Sequence, residues 1–271
     1  MGMIVTSKDN EQVRQVRELL RDRKTRQRER KFVAEGVRLI EAGLIEGAIP
    51  DIVLYNSQLL ARTERGLRLL DDLSRMHELG VPLLREVDTK VMRDISDTVT
   101  PQGIVASFPF ALPTSDPANA PLCVVADGLQ DPGNLGTILR SAEAAGASGV
   151  WLSTDSVDVY SPKVVRAGMG AHFRLPLHPD MDWADLATRL AAVGVEQVVA
   201  TAMDGAAAYY TLDWQQPSAI IVGNEGRGLS EAACTLATAT ASIPMVGKAE
   251  SLNAAMATTI VLFEALRQRQ S

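Results

Sequence analysis

Apolar and polar positions alternate with two different periods along this chain. Val13, Val16, Leu19 and Leu20 recur at the spacing of one helical face. Residues 32–35 then read as a short strand, 36–46 as a helix with Val37, Ile40 and Leu44 inward, and 51–55 as a strand. Residues 67–79 have a helical pattern, and 103–108 read as a closing strand. A small α/β domain is therefore expected over 1–108. Residues 109–121 interrupt the pattern with four prolines in thirteen positions. Such a stretch forms neither a helix nor a central strand, and it predicts a semi-extended, exposed linker.

Beyond it, 122–126 is an unbroken apolar run, as in a parallel strand buried on both faces. Asp131 is placed to cap a helix whose first position is Pro132. That helix should reach about Ala145 and stop at Gly146. Residues 149–152, 196–201, 219–222 and 241–243 read as further strands. Ser161 should cap a helix beginning at Pro162, and 253–267 should form the last helix. This alternation over 122–271 predicts an open, mostly parallel sheet with helices on both faces.

Composition narrows the functional classes. The chain has 271 residues, 46% hydrophobic but only 4% aromatic, so Ala, Val, Leu and Ile must build a large core. No apolar run is long enough to span a membrane, and the N-terminus has no signal-peptide core. Two cysteines, Cys123 and Cys234, and three scattered histidines show no disulfide framework and no zinc spacing. A reducing, cytoplasmic protein without a membrane partner or structural metal is expected.

The net charge of -6 argues against nucleic acid, but the charge is unevenly placed. Between Arg14 and Lys31 stand nine basic and three acidic residues, a third of all 27 Lys and Arg. Two explanations fit: contact with a polyanion, or a solvated helix face.

The loops that follow the strands carry the candidate chemistry. There is no phosphate-binding Gly-x-x-x-x-Gly-Lys-[Ser/Thr]. Gly168 and Gly170 begin a dinucleotide fingerprint that fails at Phe173, and no Gly-x-Ser-x-Gly elbow occurs. Three other segments stand out. In 131–140, Asn134 and Arg140 lie six apart on one expected helix, where Arg140 either takes a phosphate or carboxylate or is structural. In 220–230, Gly223, Gly226 and Gly228 follow a strand and flank Asn224, Glu225 and Arg227. In 243–253, Ser251 and Asn253 stand where a helix begins, as caps or as ligands.

These three segments, in order and spacing, resemble the three motifs of the SpoU (TrmH-like) branch of the SPOUT methyltransferases, which act on RNA ribose 2′-hydroxyls. Phe32-Val-Ala-Glu-Gly36 and Pro101-Gln-Gly-Ile-Val-Ala106 resemble the substrate-binding domain often placed before such a module. The resemblance implies an α/β fold. A small α/β RNA-binding domain would precede a C-terminal parallel-sheet domain with a deep trefoil knot. It implies S-adenosylmethionine bound bent in that knot, between Thr201, Ala202, Met203 and Gly205, the loop of Gly223, Asn224 and Gly228, and Ile243, Met245, Ser251, Leu252 and Asn253. Arg140, Asn134, Glu225, Ser251 and Asn253 match the functional positions. The family's arginine is cast as the base, yet a guanidinium stays protonated in proteins. Arg140 is therefore expected to bind the neighbouring phosphate, and Glu225 to orient Arg140 or take the proton.

The resemblance also favours the polyanion explanation for the basic stretch. Arg14, Arg17, Arg21, Arg23, Lys24, Arg26, Arg28, Arg30 and Lys31, on one helix, would hold RNA phosphates, with Phe32 and Tyr55 as the candidates for stacking on bases. The expected substrate is 23S rRNA, with tRNA methylation or catalytically silent RNA binding as alternatives, and the expected assembly is a homodimer.

Overall fold

A computed structural model describes residues 3–110, 120–202, 207–248 and 251–270. The chain forms two compact units: Met1–Ala111 with Tyr160–Phe173, and Leu112–Val159 with Arg174–Ser271. Most of the proline-rich stretch, 111–119, lies outside the described residues.

The first unit opens with α1 (Glu11–Arg21), α2 (Arg23–Glu29), β1 (Lys31–Glu35), α3 (Val37–Ile45) and β2 (Ile52–Tyr55). It continues with α4 (Ser57–Leu60), α5 (Glu64–Glu78), β3 (Leu83–Glu86), α6 (Thr89–Asp94) and β4 (Ile104–Pro109). The sheet order is β1-β4-β2-β3, with β2 and β3 parallel and the other pairs antiparallel. Val13, Val16 and Leu19 of α1 pack with Val33, Leu54 and Val105 of the strands. The expected single helix over the basic stretch is instead two helices and the start of a strand. Asp22 ends α1 and caps α2, accepting from the Thr25 N–H at 2.8 Å and the Thr25 hydroxyl at 2.7 Å. Arg30 turns into the left-handed region (φ 53°), and Lys31 begins β1.

The second unit brings β5 (Leu122–Ala126), α7 (Pro132–Ala144) and β6 (Gly149–Ser153). Next in the chain are α8 (Pro162–Ala167), which belongs to the first unit, then β7 (Leu177–Met181), α9 (Trp183–Ala192) and β8 (Gln197–Thr201). Then come β9 (Ala207–Ala208), β10 (Ser218–Val222), α10 (Glu231–Leu236), β11 (Ala239–Ser242) and α11 (Ala254–Arg269). Seven strands form one sheet in the order β7-β6-β5-β10-β8-β11-β9, and every pairing is parallel. On one face Cys123, Val125, Ala219 and Ile221 pack with Leu186 and Leu190 of α9 and Ala233 of α10. On the other, α7 and α11 pack against each other and reach β6 and β10. Burial on both faces explains why β5 and β10 read as unbroken apolar runs. The register sets Val222 beside Ala126, so the loops after β10 and β5 leave the sheet at the same level.

The sequence pattern placed 160–173 with the second segment, whereas it folds with the first unit. The reason is aromatic. Phe32 lies 5.4 Å from Tyr160, 5.5 Å from Phe173 and 5.8 Å from His172 between ring centroids. Phe108 meets Phe173 edge-on at 4.9 Å. In a chain this poor in aromatics, that cluster decides where α8 packs. Ser161 stands at the α8 N-cap, but its side chain makes no capping bond.

Candidate active site

Each polar group of the site is held by an element end. Asp131 caps α7 by accepting the Asn134 N–H at 2.7 Å. Pro132 opens the helix, where a missing N–H costs nothing. Across the gap, the loop after β10 presents Glu225. One carboxylate oxygen accepts from the Asn134 side-chain amide at 3.0 Å and the Asp131 N–H at 3.3 Å; the other accepts from the Gln130 N–H at 3.3 Å. Asn253 caps α11 with its carbonyl oxygen, accepting from Ala255 at 2.9 Å and Met256 at 3.2 Å. Its amide nitrogen then donates to the Asn134 carbonyl oxygen at 2.8 Å. The cap fixes the Asn253 amide, Asn253 fixes Asn134, and Asn134 must point its N–H₂ at Glu225. The three segments singled out in the sequence thus meet through one chain of hydrogen bonds.

That chain also sets the charge of Glu225. Burial would raise its carboxyl, but the hydrogen bonds from Asn134, from its own backbone and from the Gln130 and Asp131 N–H groups outweigh it and hold it below the usual range. The carboxylate does not bond Arg140, contrary to expectation; it ties the α7 N-terminus to the loop after β10, whose helix dipole favours a negative group there.

The 223–228 loop is folded around Asn224. Its backbone exchanges two 2.9 Å hydrogen bonds with Gly228. Its side chain accepts the Gly226 and Arg227 N–H groups at 2.9 Å each and donates to the Gly128 carbonyl at 2.6 Å. A Cβ on Gly223 would lie 2.7 Å from the Gly228 carbonyl carbon, so only glycine fits. Buried Asp127 accepts the Ser230 N–H at 2.6 Å and anchors the loop's far end.

These loops border an open cleft of about 1250 Å³, more than the roughly 300–1,000 Å³ of common small-ligand sites. Thr201, Ala202, Gly223, Asn224 and Gly228 line it, as do Ile243, Met245, Ser251, Leu252 and Asn253. Met203 and Gly205 lie outside the described residues. Asn134 and Glu225 also line the cleft, and Arg140 does not. Arg140 is exposed on α7, about 9 Å along the axis beyond Asn134 at 1.5 Å per residue, and makes no hydrogen bond or ion pair with the described residues. Arg227, which the sequence left either to pair with Glu225 or to serve a ligand, also lines the cleft, as does Ala257. Arg227 was in view inside the Gly223–Gly228 motif; Ala257, one turn into α11, carried no signal.

Part of the basic stretch of the first unit is engaged internally, and part has only exposed contacts. Arg17 and Lys8 share Asp94, at 3.3 and 2.6 Å, and their hydrogen bonds, Lys8's foremost, hold that carboxyl below the usual range. Arg14 sits 4.0 Å from Glu18, Arg28 3.3 Å from Glu29, and Lys31 3.3 Å from Asp51. Arg30 lies over the Phe110 ring at 5.7 Å, and Arg23 has a partner within the fold. Arg26 corrects the expectation: it is buried and donates to the Leu19 carbonyl at 2.5 Å and the Leu20 carbonyl at 3.2 Å, so it joins α2 to α1 and cannot meet a phosphate. Arg21 and Lys24 are exposed without a partner among the described residues. Phe32 is fully buried and unavailable for stacking on a base, because the aromatic cluster encloses it. Tyr55 is part-buried, and burial, then Glu86, pushes its hydroxyl upward.

Comparison with known proteins agrees with both units. Residues 121–263 match the SpoU rRNA Methylase family, and 10–106 match an MRM3-like substrate binding domain. The chain is 36% identical over 280 residues to the 23S rRNA (uridine(2479)-2′-O)-methyltransferase of Streptomyces viridochromogenes, spanning 98% of this chain and 93% of that protein. It is 32% identical over 259 residues to the 23S rRNA (guanosine(2553)-2′-O)-methyltransferase RlmP of Bacillus subtilis (strain 168), spanning 96% and 97%. An AdoMet-bound rRNA methyltransferase structure from Sinorhizobium meliloti aligns with a TM-score of 0.83 at 35% identity over 99% of each chain.

Proposed function

The chain belongs to the SpoU rRNA methylase family, and from that premise we propose that it methylates a ribose 2′-hydroxyl of 23S rRNA. The observation that carries this reading is the Asn253–Asn134–Glu225 chain across a cleft large enough for two reactants.

S-adenosylmethionine fits the cleft. Gly223 and Gly228 let the backbone come close to a ligand, Ile243, Met245 and Leu252 offer apolar walls, and Ser251 and Asn253 add polar groups. When bound, it supplies a methyl group on a sulfonium sulfur. The chain's own residues then have to align the hydroxyl and manage its proton. Glu225 is a poor proton acceptor, because three donors outside its own residue already hold the ionised form. Its part is to fix Asn134 beside the reacting atoms. Arg140, exposed and without a partner among the described residues, offers its guanidinium fork to the phosphate next to the target ribose. Proximity and electrostatics carry most of the rate.

Three further features belong to the same reading. We assign the second unit a deep trefoil knot; β11 inserts between β8 and β9, and α11 then returns to α7 beside the 223–228 loop. The chain works as a homodimer: α11 leaves Met256 62% and Phe263 45% exposed on the side away from its buried Val261 and Ala265. It acts in the cytoplasm; among the described residues no helix is long and apolar enough to cross a membrane. Within the basic stretch of the first unit, Arg21 and Lys24 are exposed without a partner among the described residues and are assigned to phosphate contact.

The test is transfer of a labelled methyl group from S-adenosylmethionine to ribosomal RNA and to bulk transfer RNA, with mapping of the modified nucleotide. A single 2′-O-methyl mark in 23S rRNA is expected. A mark on a base, or on transfer RNA alone, would overturn the substrate assignment; absence of cofactor binding would overturn the activity.

A further inference from the structure

We infer that Arg227 binds a backbone phosphate of the RNA strand at the mouth of the cleft, with Asp155 holding its side chain in readiness. The inference rests on the RNA reading above and goes beyond the residues that reading uses.

The electrostatics of the second unit pose the problem. Its sequence holds seven Lys and Arg against sixteen Asp and Glu. A polyanion entering this unit meets an unfavourable field unless a cation stands at the point of entry. Among the described residues, Arg227 is the only Lys or Arg lining the cleft, where it shares the wall with Asp131 and Glu225. Three other cations of this unit are engaged: Arg174 with Glu143 at 2.8 Å, Arg267 with Glu264 at 2.8 Å, and Arg269 with the Ala120 and Trp214 carbonyls.

Geometry makes Arg227 available and positioned. Its backbone N–H is held by the Asn224 side chain at 2.9 Å, so its Cα is fixed by the loop. Its side chain is 73% exposed and touches Asp155 at 3.5 Å, longer than a well-formed ionic hydrogen bond of about 2.7–2.9 Å. An exposed pair at that distance contributes little, and most of the five guanidinium donors remain open. Asp155 is the firm partner of the two. Ser153 donates to its carboxylate at 2.6 Å, and Gln130 donates to its backbone carbonyl at 2.5 Å. The carboxylate also occupies the space that a Cβ on Gly128 would need, at 2.8 Å. A fixed carboxylate with a weakly held, exposed arginine aims the guanidinium without satisfying it, and a phosphate oxygen between its donors completes the bonding.

The experiment measures KM for 23S rRNA, its dependence on salt, and the S-adenosylmethionine Kd for wild type, Arg227→Ala, Arg227→Lys and Asp155→Asn. Arg227→Ala should raise the RNA KM about tenfold, the effect falling on KM rather than kcat. It should also lower the slope of log affinity against log salt by about 0.7–0.9, the value of one phosphate contact. Arg227→Lys should recover part of the affinity and all of the slope. Asp155→Asn keeps the Ser153 contact and removes a negative charge, so its RNA KM should equal or fall below that of wild type. An unchanged RNA KM and slope in Arg227→Ala would overturn the inference. So would a joint loss of cofactor affinity and melting temperature in Arg227→Ala and Asp155→Asn, which marks a loop strut. A wild-type enzyme that binds the cofactor but transfers nothing to RNA would instead sink the parent reading, and this one with it.

Discussion

The two units treat positive charge in opposite ways. The first holds the densest run of basic residues in the chain, yet Arg17 and Lys31 pair with carboxylates of their own unit, and Arg26 is buried outright. The second is acidic overall, yet Arg140 has no partner among the described residues and Arg227 has only a long contact. Local density of charge measures what the chain has to place, and tertiary pairing determines what remains for a ligand.

Mutations can break or sharpen this contrast. The largest effect on activity is expected from Arg140→Ala, which should lower methyl transfer at least a hundredfold while leaving the melting temperature within about a degree or two, since exposed positions without partners contribute little to stability. A large loss of folding stability would show that Arg140 is structural. Arg26→Ala, in the basic stretch itself, should do the reverse. It should destabilise the first unit by roughly 2–4 kcal/mol, because it orphans the buried Leu19 carbonyl and leaves a void, whereas Arg21→Ala should change stability by less than about 0.5 kcal/mol. Denaturant unfolding of the pair decides; equal stabilities would contradict the burial of Arg26.

A smaller effect concerns an ion pair within the acidic unit. Hydrogen bonds from Arg267 and then Gln268 hold the Glu264 carboxyl down to about 2, below its ordinary 4.5. A carboxyl depressed in the fold stabilises it above the ordinary value, and that contribution is lost as pH falls from about 4.5 toward 2. Glu264→Gln should therefore flatten the acid limb of the stability curve in that window; an unchanged limb would discount the pair. The smallest effect is chemical. Burial pushes the Cys123 thiol up to about 12, while Cys234 is exposed. A thiol reagent near neutral pH should label Cys234 and leave Cys123 untouched until the protein unfolds; mass mapping of labelled peptides reads this directly.

Much of the site is legible in the sequence. Asp131 and Asn253 were placed at helix starts by capping chemistry, and both cap. The glycines of 223–228 marked a loop after a strand, and the structure adds why Gly223 must be glycine: a side chain there would strike Gly228. What escaped was the partner of each group. Glu225 was expected to orient Arg140 and instead holds Asn134, 91 positions away in the chain. In the first unit α4, β3 and α6 were missed, since elements of four to six residues are too short to show a period.

By itself the sequence determined five of the seven parallel strands of the second unit, the loops that carry the candidate chemistry and the residue types gathered there, while β7 and β9 carried no apolar run to read. Hydrophobic period, capping side chains and glycine positions are local signals, each legible within a few residues. Only the tertiary structure decided that Phe32 lies inside a ring cluster with 160–173, that Arg26 is inside while Arg140 is outside, and that Asn253, Asn134 and Glu225 form one chain. Those outcomes depend on contacts between residues far apart in the chain, and a charge or an aromatic ring carries no mark in sequence of the group that will satisfy it.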